Sequence, residues 1–353
     1  MSDPCPTSRD AAPPVALAPA AIARTLERHP RPLGGDTARN VGPAIFSLSG
    51  SVINNLGGAT QQRVVGRKPD WLRARMPGGQ AYLALKDLID EHGLHTVCQE
   101  ASCPNMGECW SRGSATIMIL GDTCTRSCGF CNVKTGKPGP VDLDEPRRVA
   151  DVLAKVSLKH VVITSVDRDD LPDGGAAIWA ETIQRVHESC PGMSVEVLTG
   201  DFKGIERDIE TVCRSRPEII SHNMETVLRM HPAVRPQAKY QRSLDVLRQF
   251  KASGLVTKTG FMAGIGERDD EVLELIADIQ GTTAVDVLTV GQYLQPTRNH
   301  LPIDRWVTPD QFASYKRSAL AAGFRVCESG PLVRSSYRAD EQAALLAARP
   351  GAQ

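Results

Sequence analysis

From Ala115 onward, short apolar runs alternate with amphipathic segments six times in succession. An apolar run of a few residues bounded by turn signals reads as a buried strand, and the amphipathic stretch after it as a helix laid across a sheet. The strand candidates are 115–121, 160–165, 194–198, 219–222, 257–262 and 285–290. Helices are expected at 146–157, 177–189, 203–214, 226–230 with 241–252, and 269–280. Strands joined through helices cross over and run parallel. Six such units predict an α/β fold, an incomplete (β/α)6 TIM-like barrel. Beyond it, 310–322 reads as a helix, 324–327 as a short strand and 339–348 as a terminal helix, with no internal repeat.

Parallel barrels carry their functional groups in the loops after the strands. The loops here are rich in such groups. A cysteine loop follows the first strand, Asp167-Arg168-Asp169-Asp170-Leu171 the second, and Asn223-Met224-Glu225-Thr226 the fourth. Gly264-Ile265-Gly266-Glu267 and Gln292-Tyr293-Leu294-Gln295-Pro296 follow the last two.

The cysteine loop places Cys124, Cys128 and Cys131 in a C-x3-C-x2-C spacing with Phe130 before the last thiol. Iron-sulfur clusters are usually bound by four thiolates, so a triad leaves one iron open to another ligand. A zinc knuckle is the competing reading, although structural zinc is normally closed by four protein ligands. Upstream, Cys98, Cys103 and Cys109 form a second triad, C-x4-C-x5-C, in a loop made turn-rich by Pro104, Asn105 and Gly107. Pooling both triads in one closed site would leave two thiols over. Two zinc sites would each need an added histidine or solvent. Two unequal triads therefore read as two clusters. Cys5, Cys190, Cys213 and Cys327 lack ligand spacing and read as small hydrophobes.

Six of the ten cysteines fall between Cys98 and Cys131 in a chain of 353 residues, which favours metal binding in a reducing compartment over a disulfide framework. Lys plus Arg equal Asp plus Glu at 41 each, so no global field recruits nucleic acid or a membrane surface. No apolar stretch approaches the roughly 20 residues needed to span a bilayer. Residues 1–60, rich in Pro, Ala and Gly, read as a disordered tail. Arg24, Arg28, Arg31 and Arg39 raise the alternative of an organellar presequence, against which Asp3, Asp10, Glu27 and the prolines count. The expected location is the cytoplasm, with a mitochondrial or plastid matrix as the alternative. The expected organisation is a tail over 1–60, an N-terminal extension over 61–114, the partial barrel over 115–308 and a C-terminal extension over 309–353.

The triad with its aromatic residue resembles the signature of radical S-adenosylmethionine (SAM) enzymes. Together with Cys98-x4-Cys103-x5-Cys109, Val166-Asp167-Arg168-Asp169-Asp170-Leu171 and Arg334-Ser335-Ser336-Tyr337, it is similar to the lipoyl synthase family from about Arg67 to Asp340. Arg338 and Met224 stand where some relatives carry His and Leu. The resemblance implies a sulfurtransferase that inserts two sulfurs at C6 and C8 of a protein-bound octanoyl-lysine, a step of lipoate biosynthesis and protein lipoylation. Two SAM molecules and two 4Fe-4S clusters are implied as cofactors. Cys124, Cys128 and Cys131 would hold the radical-generating cluster. Cys98, Cys103, Cys109 and Ser336 would hold an auxiliary cluster that donates sulfur. A serine is a hard ligand among soft ones. From the residues alone, Ser335 and Ser336 read as a turn or the cap of the terminal helix, and only the resemblance makes Ser336 a ligand.

Gly174 and Gly175, at the start of a helix, resemble the family segment that receives the methionyl amine, and helix-terminal N–H groups can also bind a carboxylate. Asn223, Glu225 and Gln292 are candidates to face the adenosyl group. The implied partners are octanoylated carrier domains, namely the E2 subunits of 2-oxoacid dehydrogenases and the glycine cleavage H protein. An electron donor such as flavodoxin or ferredoxin and cluster-carrier proteins are also implied. Arg63, Arg67, Lys68, Arg73 and Arg75, beside Trp71, form either a solvated charged face or a patch that steers an acidic carrier.

Overall fold

The computed structural model describes residues 66–73, 78–101, 103–111, 116–156 and 158–348. The expected tail, Cys5, Arg63 and Arg75 lie outside the described residues. In chain order the strands are β1 (His95–Thr96), β2 (Thr116–Ile119), β3 (Thr123–Cys124), β4 (Lys134–Thr135), β5 (His160–Ser165), β6 (Ser194–Leu198), β7 (Ile219–Ser221), β8 (Val256–Ala263), β9 (Val287–Gln292) and β10 (Val326–Gly330). The helices are α1 (Gln80–Glu91), α2 (Val97–Glu100), α3 (Met106–Ser111), α4 (Glu145–Lys155), α5 (Ala176–Ser189) and α6 (Glu206–Arg214), then α7 (His231–Val234), α8 (Tyr240–Ala252), α9 (Asp269–Thr283), α10 (Pro309–Ala322) and α11 (Ala339–Ala348).

Eight strands form one open sheet in the order β1-β2-β5-β6-β7-β8-β9-β10, while β3 and β4 pair apart from it. From β2 to β10 every neighbouring pair is parallel, and β1 adds an antiparallel edge. The partial barrel expected from six units is present, lengthened by β10 and by the short edge β1. The outer helices form because their apolar residues recur three and four apart. In α6, Ile209, Val212 and Cys213 are buried while Glu210 faces out, which also accounts for that cysteine as packing. Two expectations shift. The segment 226–230 is a turn, with the helix beginning instead at α7, and the 97–111 loop contains the short helices α2 and α3.

Register separates the two faces of the sheet. Partnered residues of a parallel ladder point the same way, and the direction alternates along each strand. Glu196 pairs with Ile219, Ile219 with Val256, Lys258 with Val287 and Val287 with Val326, so these residues share the inner face. The main core lies between the outer face and the helices. A second cluster, Ile219, Val287, Val326 and Leu346, with Val256 and Ala343 packed on it, lies on the inner face. Leu346 and Ala343 belong to α11. The terminal helix therefore occupies the barrel lumen, against β5 and β10. On the same inner face, Lys258 Nζ donates to Glu196 Oε1 at 2.8 Å, and His160 Nε2 lies 3.5 Å from Glu196 Oε2, so the buried carboxylate is paired with a cation.

Candidate metal centres at the barrel mouth

The chain leaves β2 through two left-handed residues, Leu120 (φ 69°) and Gly121 (φ 90°), which swing it over the mouth of the barrel. Leu120 N–H donates to Glu145 Oε2 at 2.7 Å, tying this turn to the start of α4. The loop that follows is pinned from three sides. Gly129 N–H donates to Val234 O and Leu301 N–H donates to Gly129 O, both at 2.9 Å. A Cβ at Gly129 would meet Leu301 Cδ1 at 2.9 Å and Ala233 O at 3.1 Å, so the glycine lets the loop pack close. His300 Nε2 donates to Cys131 O at 2.9 Å.

The backbone N–H groups of Arg126 and Asp167 point at Cys124 Sγ, at 3.4 and 3.3 Å. Burial pushes the Cys128 thiol up to about 12 and the Cys131 thiol up to about 11, and each also feels Cys124. Such thiols hold their protons at neutral pH. They exchange them for a cation when one is bound, because metal binding selects the thiolate. Among the described residues no three Cys, His, Asp or Glu side chains close on a common point. A four-iron cluster spreads its ligands over separate irons, so thiols that face one another across a shared space fit it. The donor set, the confinement and the N–H groups aimed at sulfur all suit such a cluster.

Arg126, inside the triad, anchors the loop from below with its side chain 2 % exposed. Its Nε and Nη2 donate to the two oxygens of Asp169 at 2.8 and 2.9 Å, and Nη2 also donates to Asp201 Oδ1 at 2.6 Å. A bidentate guanidinium fixes orientation as well as distance. Burial alone would raise the Asp201 carboxyl, yet the hydrogen bond and charge of Arg126 outweigh it and hold that group well below the usual carboxylate range. In the sequence the Asp-Arg-Asp-Asp run stands out, but nothing there marks Arg126 or Asp201 as its partners.

The other rim candidates divide. Gly174 (φ 61°) and Gly175 (φ 88°) turn the chain into α5, and a Cβ on Gly175 would meet Leu120 Cδ1 at 2.5 Å. The first N–H groups of that helix already have a carboxylate, since Gly175 N–H and Ala177 N–H donate to the two oxygens of Asp173 at 2.9 and 3.0 Å. Gly174 instead lines a small cleft with Ser165, Asp167, Asp169, Gly200 and Phe202. Asn223 is buried and Glu225 half-buried beside it, Asn223 Nδ2 donating to Glu225 Oε1 at 3.0 Å. Gln292 stands apart from them. Its Nε2 donates to the carbonyls of Ala263, Tyr293 and Arg305 at 3.2, 3.1 and 3.1 Å, and its Oε1 accepts from Val307 N–H at 2.8 Å. With 0 % exposure and both polar ends engaged, it braces the strand end rather than facing the mouth.

The second triad follows the edge strand β1. Cys103 N–H donates to Cys98 O at 3.0 Å, and Cys109 N–H donates to Asn105 O at 2.9 Å, so the segment folds on itself. Burial raises the Cys103 thiol, and the charge of a Cys98 thiolate would raise it further. The N–H groups of Asn105 and Met106 and the Arg334 charge act the other way. The segment after the opposite edge strand, β10, comes to meet it. Asn105 Nδ2 donates to Leu332 O at 2.6 Å and Tyr337 Oη donates to Glu108 Oε1 at 3.4 Å. Ser336 thus lies on a stretch clamped to the cysteine segment at both ends. The two triads are also joined, because Asn132 Nδ2 donates to Glu100 O at 3.0 Å. No described cysteine is in a disulfide.

The model of the radical SAM superfamily matches residues 118–279, and that of the N-terminal domain of lipoyl synthase of the radical SAM family matches 54–103. A lipoyl synthase of Rubrobacter xylanophilus is 55% identical over 284 residues, covering 80% of this chain and 88% of the relative. One of Parabacteroides distasonis is 54% identical over 275 residues, covering 78% and 98%. A mitochondrial lipoyl synthase of Nematostella vectensis is 50% identical over 275 residues, covering 78% and 94%.

Proposed function

The chain belongs to the lipoyl synthase family of radical SAM enzymes, and from that premise we propose how its own residues divide the reaction. The activity is sulfur transfer: two sulfurs are inserted at C6 and C8 of a protein-bound octanoyl-lysine, with two SAM molecules and two 4Fe-4S clusters as cofactors. When bound, these groups supply the electron that opens the sulfonium, the hydrogen-abstracting radical and the sulfur. Cys124, Cys128 and Cys131 hold the radical-generating cluster, and the Arg126 clamp keeps their loop seated on Asp169 and Asp201. Cys98, Cys103, Cys109 and Ser336 hold the sulfur donor. Gly174, Asn223 and Glu225 bind SAM, the glycine by leaving backbone open to the cleft and the other two by polar contact.

The observation that carries this reading is the junction of the two segments. Asn132, one residue past the first triad, donates to Glu100 in the second, and Asn105 in the second donates to Leu332, four residues before Ser336. This junction supports a radical generator and a sulfur source that share one mouth, as a reaction at two nearby carbons of one chain requires. The chain acts on lipoyl carrier proteins. We assign as its carriers the E2 subunits of 2-oxoacid dehydrogenases and the glycine cleavage H protein, with flavodoxin or ferredoxin as reductant and cluster-carrier proteins for repair. The exposed Arg67, Lys68 and Arg73, around a Trp71 that is 44 % exposed, form the patch that steers the carrier. No described helix is long and apolar enough to cross a membrane, and we assign the cytoplasm as its location.

The test is anaerobic incubation of the two-cluster enzyme with an octanoylated carrier peptide, following mass. Two sulfurs should be added per peptide, and Ser336→Ala should lower the yield at least tenfold with iron bound less tightly. Normal product from Ser336→Ala would reject that residue as a necessary ligand.

A further inference from the structure

Asn223 is 9 % exposed, and its amide is held in one orientation. Nδ2 donates to Glu225 Oε1 at 3.0 Å and to Ser335 Oγ at 2.8 Å. Both donors lie in the amide plane, so engaging both fixes where the oxygen points. That oxygen, Asn223 Oδ1, is buried with no partner among the described residues. It faces the place where Gly260 has no side chain, since a Cβ there would come within 3.2 Å of it and against Thr289 Oγ1. A buried orphan acceptor asks for a donor from a ligand.

Ser335 is the other half of the arrangement. It belongs to the clamped segment and directly precedes Ser336, and its hydroxyl accepts, across 112 residues of sequence, from Asn223 just past the end of β7. We propose that the Asn223–Ser335 hydrogen bond couples occupancy of the SAM site to retention of the auxiliary cluster, with Ser335 as the positioning residue. The proposal rests on the assignment of Asn223 to the SAM site and of Ser336 to the auxiliary cluster. A nucleoside hydroxyl or amine donating to Oδ1 gains most when the amide is locked, and Ser335 locks it. The ligand therefore binds the clamped segment better than the released one. By linkage, the same preference holds Ser336 in place while the ligand is bound. Polarisation of the amide by the new bond strengthens the Nδ2 donation to Ser335 in the same sense. The sulfur donor is thereby kept closed until the nucleoside leaves.

The experiment follows iron loss from the anaerobic two-cluster enzyme to a chelator, with and without S-adenosylhomocysteine, which has the adenosyl, amine and carboxylate groups but no sulfonium to break. The auxiliary cluster is followed by its own spectroscopic signal. In the parent, the nucleoside should slow auxiliary iron loss by about three- to tenfold, the span one hydrogen bond transmits. Ser335→Ala should assemble both clusters and lose that ratio, and Ser335→Thr, which keeps the hydroxyl, should retain it. A merely structural serine would raise both rates and leave the ratio intact, and that result would overturn the coupling. So would a parent whose auxiliary iron loss ignores bound nucleoside. Ser336→Ala separates the two failures. If its auxiliary iron leaves at the parental rate without nucleoside, the ligand assignment itself is wrong and the coupling falls with it.

Discussion

His222 is 1 % exposed between the β7 strand end and α8, its Nδ1 3.0 Å from Thr199 O and its Nε2 3.0 Å from Ser243 Oγ. The carbonyl accepts from Nδ1–H, and in the neutral ring Nε2 accepts from the Ser243 hydroxyl. Burial, reinforced by the Arg235 charge, pushes its pKa down from 6.5 to about 4. A histidine with a depressed folded value binds a proton more readily when unfolded, so stability falls as pH drops through the window from 6.5 to about 4. At pH 5 the loss from this residue should be about 2 kcal/mol. Urea midpoints of the apo chain at pH 7 and pH 5 will show it, and His222→Asn should remove that share of the difference. An unchanged pH dependence in the variant would contradict the assignment. Residues of this kind were hidden from sequence reading, whereas the cysteine triads stand out by their spacing alone. Arg126 sits in the same motif yet passed unnoticed, since Asp169 and Asp201 are 43 and 75 residues away and no local pattern pairs them. Gln292 erred in the opposite direction: position after a strand promised the mouth, but only the fold reveals that its amide is fully engaged behind it.

Elements were legible where periodicity had room to appear. The stretches 160–165, 194–198 and 339–348 emerge as β5, β6 and α11 at those bounds. β10 extends past its apolar run through Glu328, Ser329 and Gly330 because pairing with β9, not hydrophobicity, holds that part straight. The segment 226–230 bends instead of coiling, since Glu225 enters it at φ 65° and Pro232 favours a helix start at His231. β1, α2 and α3 are too short to leave a period. The segment after β10 was legible only through its Arg-Ser-Ser-Tyr motif, and its seating depends on a glycine. A side chain on Gly291 of β9 would collide with Val333 O. Gly291→Ala should therefore lift residues 333–337 off the strand end while leaving the Cys124 loop untouched. Anaerobic reconstitution should give iron falling from about eight per chain toward about four, with the SAM-responsive signal of the remaining cluster preserved. Full occupancy of both clusters would mean that the segment need not seat on β9.

At the scale of the whole molecule, the two cluster segments solve one problem. An open eight-stranded sheet has two edges, β1 and β10, and exposed edges are liabilities that proteins cover. The cysteine segment leaves one edge, the serine segment leaves the other, and their junction at Asn105–Leu332 lies across the seam. On the proposed assignment the auxiliary site lies where the barrel fails to close, and the chain then continues inward as α11 to fill the lumen. Its anchor at the far end is Leu346, 7 % exposed against Ile219, Val287 and Val326. These partners lie on strands from three different units, so no local reading could have joined them to the terminal helix. Because α11 begins three residues after Ser336, a loose anchor should be felt at the mouth. Leu346→Ala removes a buried side chain from a cluster of few members and should cost about 2–3 kcal/mol in chain stability. Hydrogen exchange across 339–348 should quicken, and auxiliary iron should leave faster than in the parent while the cluster at Cys124, Cys128 and Cys131 keeps its spectrum. Faster exchange in the helix with unaltered auxiliary iron would show that the clamp at Asn105 and Glu108 holds the serine segment unaided, and that the lumen helix serves the barrel alone.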